Sequence, residues 1–107
     1  MVSGTNIRKL LQQKGGDAAV VGRLYSTACY ITDSWPSVCY LAAKYSDDPV
    51  NSLLINTNLG GENAHRGSVL GTIVGVASGK NIQPLFEQLL HHESIDREIQ
   101  EFISVIE

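Results

Sequence analysis

Apolar residues recur at three- and four-residue intervals along most of this chain, which is the spacing of a helix face and not the alternation of a strand. Residues 5–14 predict a short helix, with Thr5 or Asn6 as cap and Ile7, Leu10 and Leu11 on one side; the "KGGD" at 14–17 ends it. Residues 18–32 mix β-branched, aromatic and small side chains, and read as helix or irregular structure because no partner strand is evident. "TDSWPS" at 32–37 predicts a helix start, with Asp33 or Ser34 capping and Pro36 in the first turn. That helix runs to about Tyr45, with Val38, Leu41 and Ala42 as its apolar face and Trp35 and Tyr45 at the flanks. "SDDPV" repeats the device, with Asp48 capping, Pro49 opening the helix and Val50, Leu53 and Leu54 pointing inward, until the helix fades at "NTNLGG". Residues 82–91, with Pro84 in the first turn, and 94–106, with Ser94 as cap, complete the pattern. In the last helix Ile95, Ile99, Phe102 and Ile103 recur at helical spacing.

Between these lies a helix expected from about Asn63 to Ser78, and its pattern is different. Gly67, Gly71, Gly75 and Gly79 recur every fourth residue and make one nearly bare ridge. Each interior glycine costs about 1 kcal/mol against alanine, so close packing of another segment must compensate. Val69, Leu70, Ile73, Val74 and Ala77 fill the other faces. A helix apolar all round is expected to be buried in the middle of its fold, and this one looks made for a larger core than 107 residues supply. The expectation is an all-α, orthogonal multi-helix bundle forming a single domain over residues 1–107.

Composition changes this picture little. The chain is 43% hydrophobic and 18% charged with a net charge of −3, so there is no electrostatic case for nucleic acid or an anionic membrane. The first residues, "MVSGTNIRKLLQQ", lack an apolar signal core, and the longest apolar stretch, Val69 to Ala77, is far too short to span a bilayer. A cytoplasmic location is the resulting expectation. Two cysteines, Cys29 and Cys39, make neither a disulfide framework nor a closed zinc site, and read as small core residues. Tyr25, Tyr30, Tyr40 and Tyr45 read as core or boundary aromatics. His91 and His92 are neighbours, point about 100° apart on a helix and do not readily share an ion; a place at a helix C-terminus suits them better. Asp47 and Asp48 read as a cap and its solvated neighbour. No Ser-His-Asp or Cys-His arrangement follows from spacing, so no catalytic residue is assigned.

Candidate chemistry gathers at "NTNLGGENAHRGSVLGTIVG", residues 56–75. Together with the stretch from Trp35 to Gly79, this resembles the C-terminal part of the ADP-ribosylglycohydrolase family, in which "N-x-GGD-x-D-T" precedes a glycine-spaced buried helix. Asn58, Gly60, Gly61, Gly71, Gly75 and Gly79 fall in place, and the resemblance covers most of residues 20–90. It implies a partial version of that all-α fold. The implied activity is hydrolysis of the glycosidic bond to ADP-ribose in proteins or related conjugates, with two magnesium ions. The implied roles are Asn58, Gly60, Gly61 and Arg66 on the substrate, and Glu62 and His65 on metal. The family's acidic cluster nearer the N-terminus has no counterpart here, so the chain reads as a C-terminal piece that is inactive alone.

The motif also departs from the family pattern. Glu62 keeps a carboxylate on a longer arm, Ala64 binds nothing, and His65 stands where the family has threonine. Magnesium wants six hard oxygens, so Ala64 weakens that cofactor and His65 favours manganese or zinc. The loss of carboxylates and the presence of Arg66 instead suit a phosphate at a helix start. A non-catalytic module that binds ADP-ribose or a nucleotide phosphate is therefore the first alternative. A structural fragment that self-associates, or awaits a missing N-terminal half, is the second. The plainest reading of the same residues has Glu62 and Arg66 paired at i, i+4, Asn63 as cap and His65 bonded to a carbonyl.

Overall fold

The computed structural model describes residues 6–107. It is an all-α arrangement of seven helices among the described residues: α1 (Ile7–Leu11), α2 (Asp17–Val20), α3 (Ile31–Lys44), α4 (Pro49–Leu59), α5 (Asn63–Ser78), α6 (Gln83–Phe86) and α7 (His92–Ile106). No helix among the described residues is long and apolar enough to cross a membrane.

Two starts follow the expected chemistry. Asn6 caps α1 by accepting from the Lys9 N–H at 3.2 Å; Thr5, the other cap the sequence offered, lies outside the described residues. Asp48 caps α4 by accepting from the Asn51 N–H at 3.1 Å, with Pro49 at the first helical position. Other boundaries move. Residues 18–32 are mainly irregular, with the turn α2, one bridge between Val21 and Tyr25 and the first two residues of α3. Helix α3 begins after Tyr30, before the supposed caps, because the Asp33 carboxylate is turned back to accept from the Ser26 N–H at 3.2 Å. Pro36 is thus inside the helix and buried, not in its opening turn. The helix expected over 82–91 shrinks to the single turn α6, and α7 starts at His92, two residues before Ser94. His91 takes a left-handed conformation, φ 63°, at the start of α7, so neither His91 nor His92 closes a helix.

A small core joins α1, α2, α3 and α5 through Leu10, Val20, Val21, Val38, Tyr40, Leu41, Leu70 and Val74. A polar clamp ties α2 to α3 beside it. Asp17 accepts from the Tyr40 hydroxyl at 2.8 Å and the Lys44 ammonium at 2.6 Å through one oxygen, and from the Tyr45 hydroxyl at 2.6 Å through the other. Burial pushes the Asp17 carboxyl up, but the hydrogen bonds from Lys44, Tyr45 and Tyr40 outweigh it and hold the group below its ordinary 3.8. A depressed carboxyl stabilises the fold fully above its unfolded value and loses that contribution as pH falls through the folded one. Denaturant titrations across pH should therefore show wild-type stability falling below pH 3.8, with Asp17→Asn less stable at neutral pH and losing less on acidification. Parallel pH curves for the two proteins would contradict the clamp.

Helix α5 corrects the expectation of a rod buried on every side. Only Arg66, Leu70 and Val74 are buried along it, and Val76 is 83% exposed. The glycine flank is nevertheless covered as far as Gly75, by α4 and the segment after α5, while Gly79 ends the helix with open space at its Cβ position. A Cβ on Gly67 would come within 2.9 Å of the Asn56 amide nitrogen, one on Gly71 within 3.4 Å of Leu53, and one on Gly75 within 3.9 Å of Ile82. The face of α4 that meets this ridge is Pro49, Ser52 and Asn56, with Leu53 half-buried; Val50 and Leu54, expected inward, are exposed. A bare ridge accepts small and polar side chains at close range, so apolar spacing alone misjudged the inner face. These distances set a sign test. Gly75→Ala should raise stability by about 0.5–1 kcal/mol through helix propensity, whereas Gly67→Ala should lower it by about 1–2 kcal/mol by displacing Asn56. Thermal melts of both variants check it; equal effects would count against the ridge's role.

Candidate functional site

Helix α4 ends on Gly60, φ 73°, and Gly61 follows at φ 64°, both in the region that glycine tolerates. The chain then turns into α5 at Glu62, whose backbone N–H donates to the Thr27 carbonyl at 2.9 Å. Gly61 lies against Thr27 so closely that a Cβ there would overlap both its side chain and its carbonyl. The double glycine thus brings the start of α5 flush against the irregular segment before α3.

Behind the loop lies a buried polar hub. Asn56, 2% exposed, accepts from the Arg66 Nε through its side-chain oxygen and donates through its amide to the Asn63 carbonyl at 2.9 Å. One terminal nitrogen of Arg66 donates to the Asn56 carbonyl at 3.1 Å and to the Gly60 carbonyl at 2.8 Å. The Asn63 amide donates to the Thr57 carbonyl at 3.1 Å. Arg66 is only 5% exposed and has no carboxylate partner among the described residues; burial pushes its guanidinium below its usual value. The i, i+4 pair of Glu62 with Arg66 does not form. Glu62 instead meets the His65 Nδ1 at 3.0 Å on the exposed side. Nor does Asn63 cap: it is the first residue of α5, whose cap position is Glu62.

In front of the loop is a cleft of ≈ 210 Å³ between residues 28–31, the first half of α3 and the start of α5. Glu62, His65 and Arg66 line it together with Trp35, Ser34 and Cys29. Trp35 is 41% exposed. Cys29 is exposed rather than core and Tyr30 is exposed too, while Cys39 is half-buried with its thiol pushed up by burial. Of the sequence candidates, Glu62, His65 and Arg66 meet at the cleft, and Gly60 and Gly61 form the loop beside it. Asn58 is exposed on α4; the asparagine that fixes the loop is Asn56, which sequence reasoning missed. Its only signal was its place opposite Gly67 in the helix-to-helix register.

The field at this loop favours an anion. A helix start carries about half a positive charge, and the N–H groups of Asn63, Ala64 and His65 have no partner among the described residues. Arg66 adds a charge behind them that has no carboxylate partner among the described residues. The donor set does not fit the magnesium pair that the resemblance implies: the loop offers one carboxylate already paired with one imidazole, and no three His, Cys, Asp or Glu side chains converge among the described residues.

A family model described as ADP-ribosylglycohydrolase matches residues 4–106, nearly the whole chain and well beyond the 20–90 in which the motifs lie. Searches of curated proteins and of solved structures gave no match.

Proposed function

The chain belongs to the ADP-ribosylglycohydrolase family, and on that premise we propose that its cleft holds an ADP-ribose moiety, with a phosphate at the start of α5, and leaves the glycosidic bond intact. Residues 1–107 then form one domain that corresponds to the C-terminal portion of the family fold. The observation that carries this reading is the buried, acid-free Arg66 behind three unpartnered N–H groups. A phosphate satisfies those groups and the local charge together. Gly60 and Gly61 let the backbone approach the ligand closely, and Glu62 with His65 border the cleft on the solvent side.

One observation favours a second reading. Glu62 and His65 are 3.0 Å apart and both exposed, a carboxylate and an imidazole within reach of one ion. With ligands from another chain, such a pair suits manganese or zinc better than magnesium, and hydrolysis would follow only there. Calorimetric titration of ADP-ribose, with chelator and then with magnesium or manganese, separates the two when paired with an assay for ADP-ribose released from a modified protein. The expected result is binding that is unchanged by chelator and no release. Release that requires added metal would overturn the non-hydrolytic reading.

A further inference from the structure

Helix α7 buries none of its residues. Ile95, Ile99, Phe102 and Ile106 follow one another at intervals of four, three and four, which is the spacing of a coiled-coil seam, and Phe102 is 64% exposed. The chain is correspondingly drawn out. Its radius of gyration is 15.2 Å, against about 13 Å for a compact chain of this length. The polar side of α7 is acidic: Glu93, Asp96, Glu98, Glu101 and Glu107, five carboxylates against the single Arg97, leave residues 92–107 at a net −4. With the whole chain at −3, residues 1–91 carry +1.

That charge decides what can cover the stripe. Two α7 helices laid together would set −4 against −4, a repulsion that offsets the apolar gain. A fitting surface sets apolar side chains beside basic ones, and this chain has one next to α1. A groove of ≈ 310 Å³ beside α1 is lined by Leu10, Leu24 and Tyr25 together with the polar Asn6 and Gln13 and the basic Lys9. Arg8, Lys14 and Arg23 lie close by in sequence, and Leu11 and Leu24 are 42% and 52% exposed. We propose that α7 of one copy docks its Ile95–Ile106 stripe into the α1 groove of a second copy, with Arg8, Lys9 and Arg23 facing its carboxylates. Made reciprocally, the contact closes into a two-fold dimer. The groove is lined by none of the residues that line the ligand cleft, so the proposal stands or falls separately from the function proposed above.

Sedimentation equilibrium of the full chain from micromolar to millimolar concentration tests it. The expected result is a monomer–dimer equilibrium that weakens as salt rises. Phe102→Asp should give a monomer of unchanged helicity. Lys9→Glu with Arg23→Glu should weaken the dimer about tenfold or more, and adding Glu98→Lys with Glu101→Lys should restore it. A monomer at every concentration overturns the proposal. So does a dimer that survives both Phe102→Asp and the charge reversal, since the copies would then meet through another face, such as the exposed Tyr30 and Ile31.

Discussion

Gly61→Ala should unfold or displace the start of α5, with a loss of about 2–3 kcal/mol and of ADP-ribose binding. Two costs coincide at this position. Its φ of 64° costs an L-residue about 1–2 kcal/mol. The added Cβ also overlaps the Thr27 side chain and carbonyl. Relief by moving Thr27 breaks the hydrogen bond that its carbonyl accepts from Glu62 at 2.9 Å, which costs about 1 kcal/mol more. Gly60 next door also has a positive φ, 73°, but a Cβ there meets nothing within 4 Å. Gly60→Ala should therefore cost only the backbone strain of φ 73° with ψ −156°, a region open essentially to glycine alone, about 1–3 kcal/mol. Denaturant unfolding of the two variants measures the difference. A Gly61→Ala loss no larger than the backbone strain alone, about 1–2 kcal/mol, would show that the fit against Thr27 contributes nothing.

The second large effect is expected at Arg66. Arg66→Met keeps much of the buried stem and deletes the guanidinium, so the Asn56 side-chain oxygen and the Asn56 and Gly60 carbonyls lose their donors. Unsatisfied buried acceptors cost about 1–3 kcal/mol each, partly offset because a buried cation without a counter-ion is itself costly. A net loss of about 3 kcal/mol is expected. Arg66→Lys keeps the charge but not the fork, and should fall between the two. Affinity for ADP-ribose should drop in the same order, by about tenfold or more for methionine, equivalent to about 1.4 kcal/mol. A methionine variant that is more stable than wild type would mean that the cation is tolerated for its ligand and not for the loop. Fluorescence of Trp35, at the cleft, offers a readout of both unfolding and binding.

The elements that were legible in the sequence are those that local chemistry dictates. The Asp48–Pro49 start, the span of α5 and its glycine ridge follow from caps, proline and a four-residue period, and they came with the loop that the family motif marks. The inner face of α4 did not, because a partner without side chains reverses the usual rule. Asn56 is buried where Val50 and Leu54 are exposed, since only the bare ridge at Gly67 leaves room for a hydrogen-bonded amide. The start of α3 was misplaced for a related reason. Asp33 and Ser34 look like caps, yet the Asp33 carboxylate serves a loop N–H seven residues earlier, a contact that no local pattern encodes.

Pairings at the site were less legible than its members. Glu62, His65 and Arg66 were candidates from the motif alone, but their spacing favoured Glu62 with Arg66. Tertiary structure instead draws Arg66 inward to Asn56 and leaves Glu62 to His65. The same exchange underlies the anion reading proposed for the loop, because Arg66 is withdrawn from Glu62 and has no carboxylate partner among the described residues. The Asp17 clamp was invisible for want of any motif: its partners Tyr40, Lys44 and Tyr45 lie 23 to 28 residues away.

The most direct test follows the backbone amides of residues 61–66 by heteronuclear NMR while ADP-ribose is added in the presence of chelator. The account predicts saturable shifts at Asn63, Ala64 and His65, where N–H groups await a phosphate, and a shift of the Trp35 indole at the cleft. Shifts that appear only after magnesium or manganese is supplied, or none at all in that segment, would contradict it.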